Sequence, residues 1–173
     1  DRTCFVAAMG FMPFMEATMG FIRPDNFQGG VGDRTVSVRL RLLKEKGGMP
    51  AIALGLHDFF AIEEFELEPA DAQHFTSSYI VVTKHYNMFF NSQVGLNLGY
   101  GLNWLPSNDR QLTGLFGGLL VSPIKQVQLM LEHDGVYANA GMRFHFFRRV
   151  NYMMSFWRLK YMMHQISFSI SLS

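Results

Sequence analysis

The sequence predicts an all-β fold, an antiparallel, up-and-down transmembrane β-barrel of about 11–12 strands with little or no helix. Three observations carry this expectation. Apolar and polar residues alternate strictly along segment after segment, the period of a strand whose two faces meet different surroundings. Many segments are 9–13 residues long, whereas globular strands usually have about 5–6 and a strand tilted by about 45° needs about 9–11 to cross the apolar slab of a bilayer. Short and longer connections alternate along the chain, as in outer-membrane barrels, where short periplasmic turns oppose longer extracellular loops.

Eleven strands are expected, near residues 3–11, 14–23, 34–44, 50–58, 75–86, 90–104, 112–121, 125–133, 136–147, 150–157 and 161–172. The first two flank a tight turn at Met12-Pro13, and the long connection 24–33 follows. In the third, Val36, Val38, Leu40 and Leu42 alternate with Thr35, Ser37, Arg39 and Arg41. The turn Glu45–Met49 leads to the fourth strand and the long loop 59–74, and a turn at Asn87–Phe89 joins the fifth to the sixth. The sixth alternates most cleanly: Val94, Leu96, Leu98, Tyr100, Leu102 and Trp104 lie opposite Asn91, Gln93, Gly95, Asn97, Gly99, Gly101 and Asn103. Loop 105–111 follows, and short turns are expected at Ser122–Ile124 and Arg148-Arg149. The ninth strand sets Tyr137, Asn139, Gly141, Arg143 and His145 against an apolar set, and the last sets Gln165, Ser167, Ser169 and Ser171 against Ile166, Phe168, Ile170 and Leu172. No segment sustains a 3.6-residue period. Parity of strand number, with both termini periplasmic, implies one further strand upstream of Asp1 and a 12-stranded parent barrel.

Composition narrows the class. A chain of 173 residues is one domain, 1–173, with little room for a second catalytic unit. Charged residues are only 17%, below the roughly 25% of ordinary soluble domains, while apolar residues reach 49%. The longest stretch without strongly polar side chains, Phe5 to Met15, is interrupted by Pro13 and is shorter than the roughly 20 residues of a transmembrane helix. Cys4 is the single cysteine, which removes an intrachain disulfide framework and a cysteine-based zinc site. A formal net charge of +1 with interspersed signs argues against a nucleic-acid surface.

A soluble, lipocalin-like barrel would also alternate, with its apolar set inside. Its water-facing side would normally carry many Lys and Glu. Here the polar side is built from Gly, Asn, Ser, Gln and Thr with few charges, suited to a narrow lumen, and the apolar side carries bulky Phe, Met, Leu and Ile, suited to lipid. Aromatics near strand ends (Tyr100, Trp104, Tyr137, Phe147, Tyr152, Trp157 and Tyr161) are where interfacial girdles would fall.

Several stretches resemble the YjbH-like family of outer-membrane β-barrels associated with exopolysaccharide biosynthesis, most of all its Bacteroidetes versions. They are MPFMEAT at 12–18, GDRTVSVRLRLLKE at 32–45, MPAIALGLHDF at 49–59, SYIVVTKH at 78–85, GLNLGYG at 95–101, LFGG at 115–118, LMLEHD at 129–134 and NAGMR at 139–143. Together they cover most of the chain in the family's order. Two departures stand out. The GTPGLI and PTA opening typical of such proteins is absent, in keeping with a missing first strand, and the chain ends at Ser173, Phe168 being its last aromatic. The resemblance implies an outer-membrane location in a Gram-negative bacterium and a link to surface polysaccharide, and it brings no catalytic motif.

The polar face carries the candidate site residues Glu16, Arg39, Arg41, His57, Asn97, Glu132, Asp134, Arg143 and His145, expected as a mixed-sign ladder lining a plugged lumen. A polar path for a small solute or a glycan is the functional alternative. Glu132-His133-Asp134 and His57-Asp58 invite acid/base or metal readings, yet adjacent strand residues point to opposite faces, so Glu132 and His133 cannot converge on one atom. Nothing resembles a nucleophile elbow, an H-E-x-x-H metal motif or a phosphate loop. Residues 63–68 (EEFELE) with Asp71 read as a solvated acidic loop, with divalent-cation bridging as the alternative. Gly29, Gly30 and Gly32 give the first long loop its freedom, and Cys4 reads as a small strand residue.

The expectation is therefore a non-enzymatic outer-membrane barrel without cofactor or metal, supporting polysaccharide export or surface assembly. Its partners are the bilayer, polysaccharide and other outer-membrane proteins, with no nucleic acid. The alternative is an accessory subunit of a larger outer-membrane machine, docking through a Met-rich exterior near Met153-Met154 and Met162-Met163.

Overall fold

Alternating segments, joined in turn by short and by longer connections, build a single meander. The structure, a computed structural model, describes residues 2–24, 33–57, 77–88, 92–103, 111–146 and 149–169. Its strands are β1 (Arg2–Met12), β2 (Met15–Pro24), β3 (Asp33–Leu43), β4 (Ala51–His57), β5 (Ser77–Asn87), β6 (Gln93–Asn103), β7 (Gly114–Ile124), β8 (Val127–His133), β9 (Ala138–Phe146), β10 (Val150–Trp157) and β11 (Tyr161–Phe168). All eleven expected strands are present, and no helix occurs among the described residues. Each strand pairs antiparallel with its sequence neighbour, in the order β1 to β11. Among the described residues, β1 and β11 each have a partner on one side only. The long connections 24–33, 59–74 and 105–111, and with them the acidic segment, Asp71 and the loop glycines, lie wholly or largely outside the described residues.

The turns explain where the strands stop. Pro13 and Phe14 form a two-residue connection between β1 and β2. Lys46 and Met49 bond to each other across Gly47, whose φ of 55° suits glycine. The connection expected at Ser122–Ile124 falls instead on Lys125-Gln126, because β7 continues through a register shift between Val121 and Ile124. Pro123 lies in that shift, where its missing N–H costs the ladder nothing. Residues 136 and 137, expected in the ninth strand, belong to the turn before β9: Asp134 Oδ1 accepts from the backbone N–H of Val136 (2.9 Å) and Tyr137 (2.7 Å).

Register sorts the side chains into two faces, since directly paired residues share a face. Val38–Leu56, Leu54–Ile80, Val82–Leu98, Leu96–Leu119 and Leu131–Ala140 pair on the apolar face. Gly55–Tyr79, Thr83–Asn97, Gly118–Glu132 and Gln128–Arg143 pair on the other. Among the described residues Phe116 is the one buried large apolar side chain, at 8% exposure, while Leu98 (59%), Leu115 (65%) and Ile166 (65%) stand open on the apolar face. The sheet therefore has an apolar surface and no apolar core of its own.

Candidate functional site: the polar face and its clasped turn

The polar face is a series of cross-strand pairs. Glu16 and Arg39, directly opposite on β2 and β3, form an ion pair at 3.0 Å. Arg41 donates to the Pro13 carbonyl, tying β3 to the β1–β2 turn. His57 Nδ1 meets the Ser37 hydroxyl at 2.9 Å, and the Thr83 hydroxyl donates to Asn97 Oδ1 at 2.7 Å. Buried Asn139 donates from Nδ2 to Glu132 and Asp134, both at 3.2 Å, and its Oδ1 accepts the Arg158 backbone N–H at 2.8 Å. Arg143 donates to Gln128 Oε1 (3.4 Å) and approaches Met153 Sδ (3.6 Å), and His145 Nδ1 meets Asn151 Oδ1 at 2.6 Å.

All nine candidate residues thus have neighbours on or beside this face, but in separate local groups, with Glu16 bound to Arg39 and with Glu132 and Asp134 sharing Asn139. Glu132 and His133 diverge as alternation requires: Glu132 pairs with Asn139, while His133 pairs with Ala138 and Gly117. Asp58 lies outside the described residues. Among the described residues no group of three His, Cys, Asp or Glu is placed to hold a metal ion.

The aromatics divide. Tyr100 is exposed on the apolar face, and Trp104 and Phe147 lie outside the described residues. Tyr152 stacks between Phe144 (6.3 Å) and His164 (6.0 Å) on the apolar face. Alternation from Ser155, which pairs with Gly141, carries Trp157 to the side of Asn139, where it meets Tyr137 edge-on and Tyr161 at 5.9 Å. The Arg158 guanidinium lies 3.8 Å over Tyr137 and 4.2 Å over Trp157. This clamp holds a strained turn, in which Arg158 and Leu159 adopt φ of 55° and 53°.

Two features escape the sequence reading. Tyr79 and Phe116 reach into the polar face and meet edge-on, with centroids 5.6 Å apart and planes at 86°. Each lies over the glycine paired with it: a Cβ on Gly55 would collide with the Tyr79 ring, and one on Gly99 with the Phe116 ring. The only sequence signal is the pairing of an aromatic with a glycine, visible once register is known.

The second feature is a clasp. Glu45, on the β3–β4 turn, accepts from the His85 backbone N–H (3.0 Å), the His85 ring Nδ1 (2.7 Å) and Lys84 Nζ (3.0 Å), while Lys84 also donates to the Gly47 carbonyl at 2.5 Å. The His85 donors, then Lys84, hold the Glu45 carboxyl well below its ordinary value, at about 2. Glu45, Gly47, Lys84, His85, Asn87 and Gln93 line an open cleft of about 420 Å³. Its chemistry is polar and hydrogen-bonding, with a carboxylate already saturated by its own chain.

The family model for YjbH, described as exopolysaccharide biosynthesis protein YbjH, matches residues 12–173, nearly the whole chain. No curated protein and no solved structure matches. An eleven-stranded meander with one apolar and one polar face, matched over almost its entire length, belongs to the YjbH family.

Proposed function

We propose that this chain forms the wall of a transmembrane β-barrel in the outer membrane of a Gram-negative bacterium, a non-enzymatic Bacteroidetes-type YjbH protein that supports export or surface assembly of exopolysaccharide. One observation carries the reading: eleven consecutive strands present large apolar side chains on one face, and among the described residues none of these is buried, Phe116 lying on the opposite face. In water such a surface costs about 25 cal/mol for each Å² exposed, whereas hydrocarbon accepts it. Seven strands have 9–11 residues, the span of a tilted strand across the slab. The polar face would then line the interior, with Tyr79 and Phe116 narrowing it. The family's description supplies the link to polysaccharide. Pairwise satisfaction of the ladder residues favours a structural lining over a catalytic centre.

A second reading makes the chain an accessory subunit of a larger outer-membrane assembly. Exposed Met162, on the apolar face near the β11 edge, favours it, because Met-rich surfaces repack readily against partners. Purification from gently solubilised membranes separates the two. A lone, heat-modifiable barrel whose deletion alters the capsule supports the export role, and stoichiometric protein partners support the subunit. Recovery in the soluble fraction without detergent contradicts both.

A further inference from the structure

Among the described side chains, the apolar face is interrupted once in its middle by an ionisable group. Among the described strand side chains, the ammonium and imidazole groups on this face are Lys84 and His133, both close to strand ends, and His164, at the centre of β11. Lys84 folds back to the Glu45 turn, and His133 Nδ1 accepts the Gly135 N–H. His164 has no such route out of the face. It pairs with Met154, which pairs with Met142, and its Nδ1 lies 2.7 Å from the Tyr152 hydroxyl. From β10, which is the strand packed on β11 among the described residues, Met154 and Tyr152 face it, and no carboxylate, ammonium or guanidinium does.

We infer that His164 makes the seating of β11 against hydrocarbon dependent on pH, with the neutral imidazole permitting insertion and the imidazolium opposing it. The inference rests on the membrane reading above. In the Nε2–H tautomer of the neutral ring, the tyrosine O–H donates to Nδ1 and only Nε2–H is left facing outward. On protonation Nδ1 becomes a donor, so the tyrosine oxygen must accept and its own O–H must turn away into hydrocarbon, where no acceptor exists. The proton therefore adds a charge and strands a second donor on the lipid side. Imidazole is the side chain whose ordinary titration falls in the physiological range.

The test is refolding of the 173-residue chain from urea into preformed phosphatidylcholine vesicles, whose headgroups do not titrate between pH 5 and pH 8, scored by heat-modifiable migration and protease protection. The ratio of inserted to uninserted wild type is expected to fall about tenfold from pH 8 to pH 5. His164→Phe should insert equally at both values, and His164→Lys should insert poorly at both. His57, His74, His85, His133 and His145 are intact in these variants, so a pH dependence that survives in His164→Phe belongs elsewhere in the chain and overturns the inference. A pH-independent wild type overturns it as well and leaves the membrane reading standing. Failure of wild type and His164→Phe to insert at any pH overturns both.

Discussion

Glu45 sits on the turn between β3 and β4, yet its carboxylate bonds His85 on β5, one strand further across the sheet. The reason lies in the ladder. Pairing of β4 with β5 begins at Ala51–Thr83, so β5 runs on past the end of β4 and the His85 N–H has no strand partner there. The Glu45 carboxylate takes that place as acceptor.

Acid should release this clasp. The folded-state carboxyl is lowered from 4.5 to about 2, so its contribution is fully present above pH 4.5 and is lost as pH falls through about 2. In Glu45→Gln that component of acid sensitivity disappears. Acid titrations of wild type and variant, followed by circular dichroism from pH 6 to pH 2, should converge at the acid end. A constant separation over the whole range would refute the clasp.

The glycines under the aromatic pair are expected to tolerate nothing larger. Gly99→Leu must displace the Phe116 ring or spread β6 from β7, at a cost of about 1–3 kcal/mol. Gly48, around which a Cβ would meet nothing within 4 Å, provides the control: Gly48→Ala should be close to neutral. Urea unfolding midpoints of the two variants, compared with wild type, decide the matter.

Asn139 joins three segments with one amide. Asn139→Ala removes a donor from buried Asp134 and the acceptor for the Arg158 N–H, and leaving such groups unpaired costs about 1–3 kcal/mol each. Loss of hydrogen-exchange protection should appear first at the β10–β11 turn. Unchanged protection there would show that the aromatic clamp around Arg158 holds the turn alone.

Leu159 is exposed at the tip of that turn with φ of 53°. A left-handed conformation costs an ordinary residue about 1–2 kcal/mol, and asparagine adopts it more readily. Leu159→Asn should therefore stabilise the protein by about 0.5–1 kcal/mol in urea unfolding.

The strands were legible because a period of two survives any uncertainty in tertiary arrangement: Val94 to Leu102 alternate with Gln93 to Gly101 whatever packs on either face. Limits were harder to read. Pro123 resembles a turn signal, yet a bulge absorbs it within β7, and Val136 continues an alternation that Asp134 has already ended by capping a turn. Of the polar face, the pairs Glu16–Arg39 and Glu132–Asn139 follow from phase once neighbouring strands are set in register. The clasp does not, because Glu45 and His85 are 40 positions apart and meet only through the offset between β4 and β5. Tyr79 and Phe116 were hidden because an aromatic in phase with polar residues looks like an exception until the glycine opposite it is known.

The proposed contact between the apolar face and acyl chains is tested most directly by spin labels placed one at a time at Leu96, Asn97 and Leu98 of β6, in a Cys4→Ala background reconstituted into vesicles. Labels at Leu96 and Leu98 should be relaxed by dissolved oxygen and shielded from a water-soluble nickel chelate, while the label at Asn97 shows lower oxygen and higher chelate exposure. Labels at Leu96 and Leu98 shielded from both reagents would place them in a protein core instead and contradict the barrel.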